Sequence, residues 1–446
     1  MKILLINPPR SPYNEILAHA RPEAIPYIHK KLIGPPLGLL TLVAALKDHD
    51  VSLLEMKGEY DLRPDGPGPA SLTLGALEKH RPDVVGVTFI ASEYPAGMEI
   101  LEVVKAYDPV IKTVAGGLHT SLCPEDFDSS VVDFVCPGVS ARSFVRLINS
   151  FEKKEKPSQV PGILYRHDGH LRSSSVASPA YDPAGADFIL PDRSLVRPYL
   201  STYVVGKAKG PSTYVFTSLG CPYSCTFCSI WPQYNQRYLQ RDVESVIEEL
   251  KGLDEYEVVR FSDANTLVNL DFAERLFDRI EEEGIKKTFI MDIRADTAAN
   301  HPRLIEKLAR GGLRVVITGF ESIRQEELSR YKKQLKVELV EQAIKVFHDN
   351  DIMLRGNYIV PPSYDRGDFD FLIDYASSHR VAYAGYTILT PFPGTPFYEE
   401  VKDDIVDRDL ARYNMFNAVL KTRLPLEEFY QKVSDLWLLR KGTDVI

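Results

Sequence analysis

Residues 212–232 read STYVFTSLGCPYSCTFCSIWP, a strand pattern followed directly by a loop with three cysteines. The cysteines are spaced C-x3-C-x2-C at Cys221, Cys225 and Cys228, with an aromatic residue, Phe227, before the last of them. Three thiolates on one loop can hold three irons of a [4Fe–4S] cluster and leave the fourth iron open to a small molecule. The string Cys-Pro-Tyr-Ser-Cys is typical of a turn, so it favours a cluster over three thiols packed in a core.

A structural zinc site is the main alternative for these cysteines. Such sites usually have four protein ligands, often as two short pairs separated along the chain. No second pair follows Cys228, and the next histidine downstream is His301. The remaining cysteines, Cys123 and Cys136, are expected to be small buried hydrophobic residues, so a second cysteine-ligated cluster is not predicted.

The loop follows the first strand of a β/α series. Further strands are predicted at 257–264, 287–296, 314–322, 353–361 and 382–391, separated by helices such as 242–253, 271–284 and 302–312. Six β/α units predict a partial (β/α)6 barrel over residues 211–400, with its chemistry at the carboxyl ends of the strands. Residues 401–446 are predicted to be a helical C-terminal segment in which Trp437 and leucines pack.

Residues 1–150 show a separate alternation of strands and helices. Strands are predicted at 2–7, 51–56, 83–91, 111–117 and 132–138, with helices at 37–49, 96–107 and 140–152. This α/β pattern predicts a doubly wound, Rossmann-like parallel sheet that binds its ligand at the carboxyl ends of the strands. Residues 151–210, with an Asp-Gly hairpin at 162–174, are interpreted as a linker between the two domains.

Composition limits the classes of function. A net charge of −9 and a pI near 5.7 argue against a general nucleic-acid binder, which needs a basic face. Five cysteines in 446 residues do not form a disulfide scaffold, and free thiols suit a reducing cytoplasm. The start, MKILLINPPR, lacks the layout of a signal peptide. The longest apolar stretch, 32–46, is interrupted by two prolines, so a cytoplasmic protein without a transmembrane segment is expected.

The cysteine loop resembles the signature of the radical S-adenosylmethionine (SAM) enzymes. In that family the open iron chelates the amino and carboxyl groups of SAM, and an electron from the cluster cleaves SAM to a 5′-deoxyadenosyl radical. Strings at later strand ends match the family as well: FSDA (261–264), IRAD (293–296), GFES (319–322) and TPFPGTP (390–396). The resemblance implies cluster ligation by the three cysteines and SAM-side contacts from Phe227, Ser262, Asp263, Arg294, Glu321 and Ser322.

Several of these residues have structural alternatives. Arg294 with Asp296, or Arg260 with Asp263, would equally suit an ion pair at a strand end. Residues 360–365 read VPPSYD where relatives commonly have Gly-x-Pro-Gly-Glu-Thr, which departs from the family on the adenine side. Two tyrosine pairs are candidates for a substrate cavity or, alternatively, for ordinary packing: Tyr234 with Tyr238, and Tyr383 with Tyr386.

The front domain resembles the cobalamin-binding domain of many radical SAM enzymes. The matching strings, in order, are NPPR (7–10), PPLGLLTLVAAL (35–46), VVGVTF (84–89) and AGGLHTSLCPE (115–125). The string Asp-x-His-x-x-Gly is absent before residue 150, so no histidine is expected on cobalt. The resemblance implies contacts to the cofactor from Pro36, Gly38, Thr88, Gly116, Gly117, His119, Thr120 and Gly138.

Two alternatives concern this front domain. His119 is alternatively a turn residue that caps a helix. Residues 138–141 read GVSA where the family often has Gly-Glu-Gly-Glu, so the acidic contacts of that motif are missing. Plain sheets of this type also bind flavins or nucleotides, and a domain that has lost its cobalamin is therefore a further alternative.

Together the two resemblances imply a cobalamin-dependent radical SAM C-methyltransferase. The deoxyadenosyl radical would remove a hydrogen from an unactivated carbon of a small molecule, such as a lipid or tetrapyrrole. The carbon radical would then take a methyl group from methylcobalamin, which a second SAM regenerates, and an electron donor such as flavodoxin or ferredoxin would supply reduction. Alternatives are a cyclase, ring-contraction or oxidation enzyme on the same scaffold, and a non-catalytic cobalamin or cluster sensor. A methylthiotransferase is disfavoured because its front domain brings three cluster cysteines.

Overall fold

The structure is a computed structural model that describes residues 1–28, 34–139, 141–177, 181–184, 188–205, 210–379, 381 and 384–440. These residues divide into two units. The front unit comprises Met1–Pro12 and Pro35–Thr202, and the barrel unit comprises Tyr13–Gly34 and Tyr203–Ile446. In the part of the chain that the structure describes, no helix combines the length and the apolar character needed to cross a membrane.

The strands follow one another along the chain as β1 Lys2–Asn7, β2 Asp50–Glu55, β3 Val84–Thr88, β4 Lys112–Gly116, β5 Phe134–Cys136, β6 Leu164–His167, β7 His170–Ser173, β8 Ser212–Val215, β9 Ser218–Gly220, β10 Tyr238–Gln240, β11 Val258–Phe261, β12 Thr288–Asp292, β13 Leu313–Glu321, β14 Met353–Val360 and β15 Gly385–Ile388.

The helices are α1 Glu15–Ala18, α2 Ile25–Ile28, α3 Leu37–Ala45, α4 Met56–Leu62, α5 Pro69–His80, α6 Tyr94–Tyr107, α7 Leu118–Leu122, α8 Ala141–Lys153, α9 Ile230–Gln233, α10 Val243–Lys251, α11 Leu270–Glu282, α12 Ala295–Asn300, α13 Pro302–Arg310, α14 Gln325–Arg330, α15 Val337–Asp349, α16 Arg366–Ser378, α17 Pro396–Val401 and α18 Leu426–Leu436.

The front unit contains a seven-stranded sheet in the order β2-β1-β3-β4-β5-β6-β7. Strands β1 to β5 run parallel, and β1 is apolar and buried along almost its whole length because helices cover both faces of the sheet. Helices α5 and α6 pack on one face, and α3 and α8 pack on the other. The predicted doubly wound α/β fold is confirmed, and its switch point lies between β1 and β3.

Most of the segment 151–210, predicted to be a linker, forms part of the front unit in the structure. Its hairpin, β6 and β7, pairs antiparallel with β5 and extends the front sheet, with Phe134 opposite Tyr165. This pairing satisfies the backbone groups that the edge of β5 would otherwise expose. The front unit therefore continues to Thr202, and helix α5, which the sequence reading omitted, also belongs to it.

The barrel unit contains six parallel strands in the order β15-β14-β13-β12-β11-β8. Each strand pairs with the next one of the series in the chain, as a β/α series requires, and the predicted partial barrel is confirmed. The one strand predicted before the cysteine loop is two strands: β8 stays in the barrel, whereas β9 pairs antiparallel with β10. This short ribbon leads directly into the cysteine loop.

Segments from both ends of the chain lie along the two edge strands of the barrel unit. At one edge, a Cβ on Gly34 would lie 2.6 Å from the Tyr214 ring of β8. At the other edge, Ile388 N of β15 donates to Met415 O, and Ile16 N donates to Phe416 O. Residues 402–425 form short 3-10 turns and bridges rather than a continuous helix, and α18 with the buried Trp437 supplies the predicted helical packing.

Candidate functional site

The cysteine loop lies at the carboxyl end of the first barrel strand, between β9 and α9. Gly220 ends β9 with a φ of +78°, and a Cβ there would lie 2.1 Å from the carbonyl oxygen of Arg237. Glycine is therefore required for β9 and β10 to pair closely just before Cys221. Trp231 Nε1 donates to the carbonyl oxygen of Cys225 at 2.9 Å and fixes the far side of the loop to α9.

The middle of the loop is held by backbone hydrogen bonds to distant parts of the barrel unit. Thr226 N donates to Tyr331 O at 3.0 Å, and Phe397 N, beyond the TPFPGTP turn, donates to Thr226 O at 3.0 Å. The Phe227 ring packs edge-on against Tyr331 with 5.5 Å between the ring centroids. Phe227 therefore anchors the loop through apolar contact in this structure.

The surroundings of the three cysteines disfavour free thiolates, so a bound metal is needed to stabilise the thiolate form. Burial raises the pKa of all three thiols above the usual value for cysteine. The positive charge of Lys333 opposes this effect at each thiol, and backbone N–H groups oppose it at Cys221 and Cys228. Thiols of this kind become thiolates when a metal replaces the proton.

The spacing of the thiols does not fit a single zinc ion. Tetrahedral zinc with Zn–S bonds of about 2.3 Å would bring its sulfur ligands to about 3.8 Å from one another. Within the described ranges, the only three cysteine, histidine or carboxylate ligand atoms that all lie within 4.8 Å of one another belong to His119, Cys123 and Asp126 of the front unit. At least two of the three loop sulfur atoms therefore lie farther apart than 4.8 Å, which fits ligation of different irons of a cluster.

Asp263 stabilises the backbone that leads into the cysteine loop. Its Oδ1 accepts from the backbone N–H groups of Thr217 and Ser218 at 2.8 and 2.9 Å, and its Oδ2 accepts from the Thr217 hydroxyl. The side chain is buried, and burial raises its pKa to about 6. The Oδ2 atom accepts only this one hydrogen bond, so the contact between Asp263 and the ammonium of SAM stays a prediction. The hydroxyl of the neighbouring Ser262 forms no hydrogen bond within the described residues.

We expect Asp263→Asn to keep the cluster and Asp263→Ala to lose most of it. Asparagine retains the Oδ1 acceptor for both backbone donors, whereas alanine leaves the two buried N–H groups unsatisfied at a cost of about 1–3 kcal/mol each. Iron content and the free energy of unfolding of both variants measure the difference. If Asp263→Asn lost SAM binding while keeping iron, the carboxylate charge would be needed for SAM and the bracing role would be rejected.

Arg294 combines a structural ion pair with one unused donor. Its Nε and Nη2 donate to the Asp296 carboxylate at 2.9 and 2.8 Å, and Nη2 also donates to the carbonyl oxygens of Lys333 and Gln334. The guanidinium carbon lies 3.9 Å from the ring centroid of Tyr223, inside the cysteine loop. The Arg294–Asp296 alternative is therefore present, but Nη1 forms no hydrogen bond within the described residues. The other pair proposed from sequence is wrong, because Arg260 binds Asp292 and not Asp263.

A buried ion pair beside the cysteines was not predicted from the sequence. Lys333 Nζ lies 2.7 Å from Glu321 Oε1, and both side chains are about nine-tenths buried. Glu321 has a φ of +63°, an unusual conformation for a side chain of this size, at the carboxyl end of β13. Although burial acts to lower the pKa of Lys333, Glu321 and the Cys225 thiol outweigh it and hold the pKa above the usual value. Lys333 is therefore a charged group next to the candidate cluster.

Asn265 is a second residue that the sequence reading missed. It is buried four residues after β11, and neither its Oδ1 nor its Nδ2 has a hydrogen-bond partner in the described structure. A buried carboxamide with both polar atoms unsatisfied is costly unless a ligand completes it. Asn265 follows Ser262 in the string FSDAN at the carboxyl end of the strand, where the resemblance places SAM contacts.

The remaining predicted barrel residues serve mainly in packing. The Ser322 hydroxyl donates to Glu327 and accepts from Arg324 N, so it organises the start of α14. The Tyr386 ring stacks on Tyr358 and contacts Trp437 in the core, which supports the packing alternative for this residue. The Tyr238 hydroxyl donates to Gln240. Tyr383 lies outside the described residues, as does Ser140 of the GVSA string.

In the front unit, three of the four glycines that were predicted to contact the cofactor have open space beside their backbone. A Cβ at Gly38 or Gly138 would meet no atom within 4 Å, and at Gly116 only the Cys136 carbonyl oxygen at 3.8 Å. Gly117 differs, because its φ is +104° and a Cβ would lie 2.7 Å from Phe89 N and from Thr88 Oγ1. Thr88 and Phe89 therefore leave no room for a side chain at Gly117. The exposed backbone at the carboxyl ends of β4 and β5, and at the start of α3 beside Pro36, fits a flat ligand that approaches closely.

His119 and Thr120 do not line such a surface. His119 is 1% exposed, packs edge-on against Tyr94 and Phe127, and has Nε2 2.9 Å from Asp126 Oδ2 without the alignment of a hydrogen bond. The buried Thr120 hydroxyl donates to Gly117 O. Both side chains point into the core of the front unit, so the predicted cofactor contacts of these two residues are not supported by the structure.

Two family models match the chain: the Radical SAM superfamily over residues 215–376 and the B12 binding domain over residues 28–148. The chain belongs to the radical SAM enzymes that carry a cobalamin-binding domain. Its cofactors are those of that family, namely a [4Fe–4S] cluster, SAM and cobalamin. The cysteine loop at the carboxyl end of the first barrel strand, the unsatisfied Asn265 and the open glycines of the front unit fit these groups.

The chain is also similar to individual proteins. It is 24% identical to the hopanoid C-3 methylase of Methylococcus capsulatus, over 92% of this chain and 77% of that protein. It is 24% identical to an anaerobic magnesium-protoporphyrin IX monomethyl ester cyclase of Cereibacter sphaeroides, over 78% of this chain and 58% of that protein. Among solved structures it matches the radical SAM methyltransferase TsrM of Kitasatospora setae with a TM-score of 0.69 and 18% identity, over 97% of this chain and 84% of that one. The last match shows a shared fold.

Proposed function

We propose that this cobalamin-dependent radical SAM enzyme is a C-methyltransferase that methylates an unactivated carbon of a small molecule. The observation that carries the proposal is the similarity over 92% of the chain to a protein named as a methylase that adds a methyl group at a carbon. The balanced reaction takes one C–H substrate, two SAM molecules and two electrons. Its products are the methylated substrate, methionine, 5′-deoxyadenosine and S-adenosylhomocysteine.

The residues of the cysteine loop have defined tasks in this reaction. Cys221, Cys225 and Cys228 would hold the cluster, and Asp263 would keep the preceding backbone in place through Thr217 and Ser218. When bound, the cofactors supply the electron that cleaves the first SAM and a carrier for the methyl group of the second SAM. Of the three thiols, Cys225 is buried, and Cys221 and Cys228 are partly exposed.

Three side chains are suited to orient SAM on the loop. Lys333 uses one N–H for Glu321 and retains two further donors next to Cys225, so it can meet the carboxylate of SAM. Arg294 has its Nη1 available on the same side, against Tyr223 of the loop. The buried carboxamide of Asn265 can both donate and accept, which suits the ammonium or ribose hydroxyls. Accurate positioning matters because small displacements of reacting groups cost large factors in rate.

Product analysis tests the methyltransferase proposal. With the true substrate, reduced holoenzyme should form 5′-deoxyadenosine and S-adenosylhomocysteine in equal amounts, and label from methyl-labelled SAM should reach the product. Flavodoxin or ferredoxin is proposed as the physiological donor of the two electrons. The substrate itself can be sought by comparing extracts with and without the gene by mass. Turnover that yields 5′-deoxyadenosine but neither S-adenosylhomocysteine nor label transfer would reject methylation.

A second candidate function is radical cyclisation or oxidation on the same scaffold. It is supported by the similarity to the anaerobic magnesium-protoporphyrin IX monomethyl ester cyclase over 78% of the chain. Such a reaction consumes a single SAM for radical formation, so S-adenosylhomocysteine would be absent from its products. A cluster sensor is less well supported, because it would not need the SAM-facing donors of Arg294 and Asn265.

A further inference from the structure

The inner face of the barrel sheet carries a layer of charged residues below the cysteine loop. Side chains alternate along the strands, and the register sets Arg260 of β11 beside Tyr214 of β8. The same register sets Ile317 of β13 beside both Asp292 of β12 and Arg355 of β14. On the opposite face, Phe261 stacks on Phe289, and Phe289 packs on Phe277 of helix α11. The charged layer therefore faces away from the helices.

The charges in this layer do not balance. Asp292 accepts hydrogen bonds from Nε and Nη2 of Arg260 at 2.8–3.2 Å, and the Arg260 guanidinium also lies near the Tyr214 ring. Asp292 is thereby paired with one arginine. Arg355 forms no hydrogen bond or ion pair within the described residues, and its Nε is buried without a partner. Two guanidinium groups thus face the interior with one carboxylate between them.

Among the described residues, the surroundings of Arg355 offer no other hydrogen-bond partner. A compact apolar cluster lies on the same face: Val258, Ile290, Val315 and Ile317, with Val205 and Met353 packed against it. On the neighbouring strand β15, Gly385 has no side chain, and a Cβ there would lie 3.8 Å from Arg355 Nε and 2.6 Å from Asn357 Oδ1. Burial, followed by the charge of Arg260, lowers the pKa of Arg355, and the nearby Asp292 carboxylate offsets only part of this effect. Arg355 is partly buried and has no direct ion pair among the described residues, and a guanidinium in such a place is stabilised when an anion completes it.

We propose that Arg355 binds a carboxylate or phosphate group of the substrate inside the barrel, with the Arg260–Asp292 pair and Asn357 as its polar neighbours. The proposal rests on the enzymatic function proposed above and adds the substrate class, an anionic small molecule. A guanidinium suits this task because its planar fork meets carboxylate or phosphate oxygens with two hydrogen bonds.

The anion is assigned to the substrate and not to SAM because of position along the strand. Tyr358 of β14 is the register partner of Glu321, at the level of the cysteine loop. Arg355 lies three residues before Tyr358, which corresponds to about 10 Å along a strand. The SAM-orienting groups Lys333 and Arg294 belong to the upper level, so the lower level remains for the distal end of the substrate.

Thermal unfolding with inorganic phosphate tests the anion site. The reconstituted holoenzyme is compared in phosphate and in sodium chloride of equal ionic strength. We expect phosphate to raise the melting temperature of the barrel unit by about 2 °C, since a ligand stabilises the state that binds it. Arg355→Gln should abolish this shift, and Arg355→Lys should retain part of it. Arg275→Gln, which removes an exposed arginine of α11, should keep the full shift and controls for the general salting effect of phosphate.

Two further readouts sharpen the test. Melting in chloride shows whether Arg355 serves the fold, and the Kd for SAM shows whether the anion that Arg355 binds belongs to the substrate or to SAM. In chloride, Arg355→Gln should melt at or above the temperature of the unsubstituted enzyme, because it removes an unpaired charge. Equilibrium dialysis should give an unchanged Kd for SAM. An equal phosphate shift in all variants, or none in the unsubstituted enzyme, would overturn the site. A tenfold weaker SAM Kd in Arg355→Gln would reassign the anion to SAM. None of these readouts depends on product formation, so they are distinguishable from failure of the proposed methyl transfer.

Discussion

Alanine at any one of Cys221, Cys225 or Cys228 should remove the cluster and reduce SAM cleavage by several orders of magnitude. The loop provides three thiolates for three irons, and two thiolates cannot hold the cubane in place. Iron content should fall from about four per chain to a small fraction, together with the visible absorption of the cluster. The effect is large because every later step requires the electron that the cluster delivers.

The two cysteines of the front unit are matched controls for this experiment. Cys123 and Cys136 are both buried, and burial raises the pKa of Cys136 to about 12, which keeps it a thiol. Cys123→Ala and Cys136→Ala should retain iron and SAM cleavage, with a loss of stability limited to the packing of one small side chain. Iron loss in Cys123→Ala as large as that in Cys225→Ala would contradict the ligand assignment.

Much of the fold could be predicted because buried parallel strands leave a strong signal. Continuous apolar runs such as KILLIN in β1 and VVGVT in β3 need helices on both faces, and the helices between them complete the α/β pattern. The hairpin β6–β7 could not be placed in this way. Its residues are polar and half-exposed, and the identity of the edge it joins depends on where β5 lies in space, which no local pattern encodes.

The residues of the candidate site also divide into those that the sequence could predict and those that it could not. Spacing alone located the cysteine loop, because a cluster requires several ligands close together in the chain. The sequence could also place Asp263 and His119 at strand ends, but not the direction of their side chains, and both point into backbone or core. Lys333 lies in the polar string YKKQLK, twelve residues after Glu321, where nothing distinguishes it from an exposed lysine. Its role depends on a contact that is made only in the folded chain.

Lys333→Met should destabilise the barrel unit by about 3–5 kcal/mol and abolish most SAM cleavage. Removal of the lysine leaves Glu321 as an unpaired carboxylate in a buried site next to the thiols. The same change removes the positive charge that acts on all three cysteines. Urea unfolding measures the first effect, and formation of 5′-deoxyadenosine with the KM for SAM measures the second. Lys345→Met, which breaks the exposed pair with Asp349, is the control and should change neither by a measurable amount.

The double variant Lys333→Met/Glu321→Gln separates stability from function. Neutralising both partners removes the buried unpaired charge, so the double variant should recover most of the stability that Lys333→Met loses. It should not recover SAM cleavage, because the Lys333 cation no longer faces the carboxylate of SAM near Cys225, and the KM for SAM should stay raised. Cleavage at the level of the unsubstituted enzyme, with its KM unchanged, would show that the pair serves the fold alone. In that case Arg294, through its unused Nη1, would be the remaining cation able to orient SAM on the loop.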